Sequence, residues 1–139
     1  MQRLFLDTNI VLDLLGERDP FYKPAAQILS LADLRKIRVF TSPTSISNTH
    51  YILSKFENKK TAIEKIRRFK LLCEISIMDD EVVDKAINSD FTDFEDALQY
   101  FSAIASQCDI IITRNEKDFK QSLIPVIEAE GYLKMLKMD

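Results

Sequence analysis

This chain has no tryptophan, a single histidine and only two glycines. Two glycines, Gly16 and Gly131, stand far apart in 139 residues, and neither a GxGxxG fingerprint nor a P-loop can be assembled from them. With only four prolines besides, long structureless linkers are excluded as well. The one histidine, His50, excludes a multi-histidine metal site. It has no partner in sequence for a Ser-His-Asp triad and reads as an ordinary helix residue. Cys73 and Cys108 lack CxxC spacing; each reads as a buried reduced thiol, with a metal or disulfide role as the alternative. No apolar run approaches the ~18 residues of a membrane span. The N-terminus lacks the basic-then-apolar order of a signal peptide, because Asp7 interrupts it. The expectation is a single domain over residues 1–139, cytoplasmic and without membrane contact.

What is present is an ordinary globular composition, 46% apolar and 29% charged. The net charge of −3 does not advertise nucleic-acid binding, but its distribution is uneven. From Lys55 to Lys70 seven basic residues face two acidic ones, whereas eight acids and one lysine lie between Asp79 and Asp96. One surface of this kind suits a polyanion and the other a metal. Two solvated helix faces are the alternative reading.

Periodicity predicts strands alternating with helices. Leu4–Leu6 is the first strand and Thr8–Leu15 a helix ended near Gly16. A helix from Pro24 to about Arg35 precedes a strand at Arg38–Thr41. Ser42 opens a third helix to about Phe56, with Ile46, Tyr51, Ile52, Leu53 and Phe56 inward. Asn58 or Thr61 caps the next, with Ile63, Ile66, Phe69 and Leu72 at helical spacing. A strand at Cys73–Met78, a helix at Asp79–Asn88 and a helix from about Asp93 to Gln107 follow. Asp109–Thr113 is β-branched and therefore central; Ile124–Val126 is a short last strand and Glu128–Lys137 a last helix. This order predicts one α/β/α sandwich around a mostly parallel sheet.

In such sheets ligands gather at the carboxyl ends of strands. Asp7 ends the first strand, and an ionised carboxylate between apolar elements is costly to desolvate without a partner. Asp93 and Asp96 lie three apart in Asp93-Phe94-Glu95-Asp96-Ala97 and share a helix face. Clustered carboxylates raise one another's pKa unless a cation neutralises them. A capping box, Thr92 with Glu95, accounts for Glu95 and partly for Asp93, and explains Asp96 least. The third piece, Thr113-Arg114-Asn115-Glu116-Lys117-Asp118-Phe119, follows the central strand. Thr113, Asn115 and Asp118 offer hydroxyl, amide and carboxylate there, pinned by Phe119.

Leu6-Asp7-Thr8-Asn9, Ser42 at the head of the third helix, the 93–97 segment and the 113–119 segment, in this order, resemble the PIN-domain ribonucleases across essentially the whole chain. The resemblance implies a PIN-like fold and a metal-dependent phosphodiesterase acting on single-stranded RNA. It implies that Asp7, Asp96 and Asp118, with Asp93 in reserve, hold Mg²⁺ or Mn²⁺ and carry catalysis. Thr8 and Thr113 orient water or a carboxylate, Asn9 braces the site, and Arg114 neutralises a phosphate or faces solvent. The short stand-alone members are toxins of bacterial toxin–antitoxin pairs, so the resemblance also implies a homodimer and a protein antitoxin.

The chain departs from the family at one point. A glutamate is usual six residues after the serine of the third helix, and here that position is Asn48; no acid occurs between Ser42 and Lys55. Asn115 likewise stands where many members have aspartate. Fewer anionic ligands imply weaker metal binding and one metal rather than two. The alternative is a degenerate PIN domain that binds RNA or a protein without efficient cleavage. A phosphatase with Asp7 as nucleophile would want an aspartate at position 9, which is asparagine.

Overall fold

The computed structural model describes residues 1–137. Its elements run β1 (Arg3–Leu6), α1 (Thr8–Leu15), α2 (Tyr22–Asp33), β2 (Arg38–Thr41), α3 (Pro43–Phe56), α4 (Lys59–Lys70), β3 (Cys73–Ile75), α5 (Asp80–Ile87), α6 (Phe94–Ala105), β4 (Ile110–Ile112), a 3-10 turn at Glu116–Phe119, β5 (Val126–Ile127) and α7 (Ala129–Lys137). The sheet order is β3-β2-β1-β4-β5, and each pairing is parallel. The chain therefore builds outward from β1 in one direction, then returns to β1 and builds the other way. The reversal lies between β1 and β4, where a crevice opens at the carboxyl ends of the two strands.

Alternation along each strand divides the core into two layers. Leu4 and Leu6, Val39, Ile110 and Ile112 face a core completed by Ile10 and Val11 of α1, Ile28 of α2 and Tyr132 of α7. Phe5, Phe40 and Ile111 face the opposite side and meet Tyr100 and Ala103 of α6 and Phe119. The central strands are buried on both faces, which is why β4 reads as three consecutive isoleucines. The predicted α/β/α sandwich stands. No helix among the described residues is long and apolar enough to cross a membrane.

Several boundaries move for identifiable reasons. Helix α2 begins at Tyr22, ahead of Pro24, because a proline in a first turn lacks only an amide that has no helical partner. Strand β3 stops at Ile75 rather than Met78. The Ser76 amide still reaches Thr41 O at 2.8 Å, but the Ile77 amide is taken by the Ser106 hydroxyl at 2.7 Å, which peels the chain off the sheet. Strand β5 is Val126–Ile127 because Pro125 has no amide to donate; only its carbonyl joins the ladder, accepting from Ile111. Helix α6 ends before Gln107, whose φ of 58° is left-handed. At the end of α1, a Cβ on Gly16 would stand 2.8 Å from Leu12 O, so the close turn there requires glycine.

Not every helix face predicted inward is buried. Leu53 is buried, whereas Tyr51 is 60% and Phe56 83% exposed. Successive residues on a helix point about 100° apart, so Tyr51, Ile52 and Leu53 cannot share one direction. Tyr51 instead lies under the Lys55 ammonium, 4.3 Å from its ring centroid. On α4 Phe69 is buried but Ile63 is exposed, and Leu72, expected on the same face, lies beyond the helix and is exposed.

Candidate functional site

Asp7 sits at the reversal of the sheet. Its amide donates to Ile112 O at 3.0 Å, extending the β1–β4 ladder by one bond. The next residue, Thr8, starts α1, so Asp7 is also that helix's cap. The side chain lies in the crevice and is 8% exposed. Three donors meet it: the Thr8 amide at 2.8 Å and the Gln99 amide nitrogen at 3.2 Å on Oδ1, and the Thr113 hydroxyl at 2.8 Å on Oδ2. Burial raises the Asp7 carboxyl above the ordinary carboxylate range; these hydrogen bonds oppose the rise, and the Asp118 charge adds to it.

Each donor is itself held. Thr113, fully buried after β4, accepts from the Asn9 side-chain amide at 3.2 Å and the Asn115 backbone amide at 3.1 Å. The Arg114 amide in turn donates to Asn9 Oδ1 at 3.3 Å. Gln99, on α6, is 1% exposed. Its carbonyl accepts from the Ser42 hydroxyl, and its amide nitrogen reaches Ser45 and, at 3.4 Å, Thr8. Ser42 caps α3 by accepting from the Ser45 amide at 3.0 Å. Thr8 and Ser45 share a further hydrogen bond of 2.8 Å. Four strand or helix ends are thus knotted around one carboxylate.

The other acids approach from α6 and the 3-10 turn. Asp93 is the cap of α6 and accepts from the Asp96 amide at 3.0 Å. This corrects the capping box expected of Thr92 and Glu95: the cap lies one residue later. The Glu95 side chain is instead held by Asn48 of α3, whose amide donates to Glu95 Oε1 at 3.0 Å. Asp96 and Asp118 line a polar cavity of about 320 Å³ with Asp93, Lys117 and Lys120. Phe119, 2% exposed, anchors the turn that carries Asp118.

These carboxylates feel one another. The Asp96 carboxyl is pushed up to about 7 by partial burial, then by the charges of Asp93, Asp118, Asp7 and Glu95. Glu95 is raised by burial and by Asp93 and Asp7, against the pull of the Asn48 hydrogen bond. Among the described residues no three His, Cys, Asp or Glu side chains close into a ready-made metal cage. A hard cation that keeps several of its own waters does not need one. Mg²⁺ binds through one or two carboxylates plus phosphate oxygens, and the donors here are all oxygen.

One expected residue serves another purpose, and His50 is the ordinary helix residue expected. Arg114 turns away from the acids and grips Asp13 through Nε at 2.8 Å and Nη2 at 3.1 Å. Its guanidinium also stacks over Phe21, 4.0 Å from the ring centroid. Asp13 is fully buried and receives Arg18 at 3.4 Å as well, so an Arg114 free to neutralise phosphate is not what the fold presents. His50 lies 3.5 Å from Ser54 on its own helix, away from any role with the acids. Both cysteines are buried and free, as their spacing suggested.

Gln99, Ser45 and Asp13 were not singled out from sequence. Gln99 was open to notice: an amide three residues after Asp96, inside the apolar run Ala97 to Phe101, shares the face of that acid. Asp13, between Leu12 and Leu14 on a short apolar helix, carried the same kind of signal.

The chain has known relatives in sequence and fold. A family model described as PIN domain matches residues 3–117. Ribonuclease VapC1 of Aquifex aeolicus strain VF5 is 31% identical over 136 residues, spanning 94% of this chain and 93% of that protein. In fold the chain is similar to VapBC2 from Rickettsia felis, solved bound to a fragment of its promoter DNA: TM-score 0.66, 20% identity, 91% of this chain and 98% of that one. It is also similar to Mycobacterium tuberculosis VapC20, a toxin that cleaves the sarcin–ricin loop, with TM-score 0.61 and 16% identity over 78% of this chain and 86% of that one.

Two outcomes follow from the geometry. Replacing Gln99 by leucine strips partners from Ser42, Ser45 and Asp7 together; it should lower stability by about 1–3 kcal/mol in urea denaturation. For Asp96 the folded pKa lies above the unfolded value of 3.8. Its contribution to stability is therefore complete below that value and is lost as pH rises through about 7. Metal-free protein should become easier to unfold across this window, and Asp96→Asn should lose less. An identical pH profile in wild type and variant would refute the charge repulsion assigned to Asp96.

Proposed function

The chain belongs to the PIN-domain family, and on that footing we propose that it is a metal-dependent endoribonuclease hydrolysing phosphodiester bonds of single-stranded RNA. The observation that carries the proposal is the setting of Asp7: a carboxylate buried at the sheet reversal, fixed by three donors, within the field of Asp96 and Asp118. Evolution of such a site for stability alone is unrewarding, since mutually repelling acids raise their own pKa values.

Asp7, Asp96 and Asp118 would hold Mg²⁺ or Mn²⁺, with Asp93 beside them. Such an ion supplies a water of lowered pKa and stabilises charge on the departing oxygen. The protein's part is orientation. Thr113 and Gln99 fix both oxygens of Asp7, Asn9 holds the Thr113 hydroxyl in place, and Ser42 and Thr8 hold Gln99. Lys117 and Lys120 share the cavity of Asp96 and Asp118 and supply positive charge for a phosphate of the bound strand. Asn115 contributes its backbone amide to Thr113, which leaves its side chain to reach substrate.

The relatives support a toxin of a toxin–antitoxin pair; a single PIN-like unit over residues 1–139, acting in the cytoplasm, is part of the same proposal. Ribonuclease VapC1 is a curated relative, and several structures of like fold are VapBC assemblies or toxin–antitoxin complexes. An open groove between α1, α2 and α4 suits a protein antitoxin. Leu14, Leu15, Leu29, Phe69 and Leu72 line it, with Arg68 among them, a match for an amphipathic segment that carries an acid. The uncovered Tyr51, Phe56 and Ile63 support a homodimer.

Labelled single-stranded RNA incubated with Mn²⁺ should be cut by the wild type. Asp7→Asn and Asp96→Asn should each slow cleavage about a hundredfold or more, the usual loss when a key electrostatic group is removed. Cleavage at the wild-type rate in both would sink the site. Specific binding of the RNA without turnover would instead favour the degenerate reading. Sedimentation at micromolar concentration should give twice the 16.1 kDa chain mass, and a single-chain mass would remove the dimer.

A further inference from the structure

The missing acid of α3 has a neighbour that stands in for it. Three residues on one face of α3 meet two on one face of α6. Ser42 and Ser45 bond Gln99, and Asn48, one turn further along, bonds Glu95, one turn back. The two helices are antiparallel along this polar seam, since advancing on α3 means retreating on α6. Asp7 closes the inner end through Gln99 at 3.2 Å. Glu95 occupies the outer end, adjacent in sequence to Asp96 and beside Asp93.

We propose that Glu95, steered by the Asn48 amide, supplies the carboxylate that α3 lacks, so that this corner of the metal centre is furnished by α6. The inference rests on the divalent-cation reading given above. The seam provides its geometry. An amide has one donor group to offer an acid and no charge of its own. Asn48 can therefore orient a carboxylate that a glutamate at the same position would repel. Glu95 Oε1 is engaged by Asn48 at 3.0 Å, and the carboxylate's second oxygen is left for a cation. The side chain lies at the exposed end of the seam, and Asp93 and Asp7 already act on it electrostatically. Glu95 does not cap its own helix, a role Asp93 fills, so its carboxylate is not tied to the helix's first amides. Asn48 is a positioning residue in this scheme and touches no reacting atom.

Mn²⁺ affinity of the purified chain, read by electron paramagnetic resonance of free ion, tests the proposal without reference to cleavage. Glu95→Gln keeps an oxygen for Asn48 but loses the charge, and should weaken Mn²⁺ about tenfold or more; Asn48→Ala should weaken it by about tenfold, as loss of an outer partner does. The double variant should bind no worse than Glu95→Gln alone, because Asn48 acts only through Glu95. Unfolding midpoints without metal should stay within a few degrees of the wild type for all three. Wild-type affinity in Glu95→Gln, with affinity lost in Asp7→Asn and Asp96→Asn, would overturn the role of Glu95 and leave the metal centre standing. Unchanged affinity in Glu95→Gln, Asp7→Asn and Asp96→Asn alike would remove the centre itself. Additive losses in the double variant would overturn the steering by Asn48.

Discussion

The fold is organised around the burial of one carboxylate. Asp7 is placed where β1 ends, α1 begins and β4 runs alongside, a position from which water is largely excluded. Desolvating an ionised group there is tolerable only with several donors aimed at it. That requirement reaches outward. Thr113 must follow β4, Gln99 must face inward on α6, and Ser42 and Ser45 must start α3 close enough to hold Gln99. Around Asp7 the polar interior is this chain of dependence, and there it is satisfied link by link. Partly satisfied it would cost more than an apolar core.

Much of this was legible in the residues. The three-isoleucine strand, the Leu-Phe-Leu strand before Asp7 and the serine opening α3 stand where periodicity and capping rules place them. Asp7, Thr113 and Ser42 meet because parallel strands bring their carboxyl ends to one edge. Seams between helices are harder to read. Which residue of α6 touches which of α3 depends on the relative rotation and slide of two cylinders. Local patterns carry no information about either. The pairing of Gln99 with Ser42 and of Glu95 with Asn48 was hidden for that reason, and Arg114 misread for a related one: its partner Asp13 lies 101 residues away in sequence.

The charge blocks divide in the same manner. The acidic block splits between α5 and the mouth of the site, where Asp93, Glu95 and Asp96 are concentrated. The basic block lies along α3 and α4. There Lys65 pairs with Glu57 and Arg67 with Glu64. Such exposed pairs add little to stability, and the segment retains a positive surplus available to a polyanion. The apolar residues left uncovered on those helices are a second surplus of the kind association removes.

Sheet order also has a consequence in time. Asp7 is among the first residues of the chain, while the hydroxyl that fixes its second oxygen lies 106 residues later. Strand β4 must slot beside β1 after β2 and β3 have already grown from the other edge. A polypeptide emerging from a ribosome therefore carries its first acid long before it owns a pocket to hold it. Contacts of such sequence separation form late and slowly. Premature fragments lacking β4 have the aspartate but not the chamber. Enclosure of Asp7 therefore waits until β4 and Thr113 have joined the sheet.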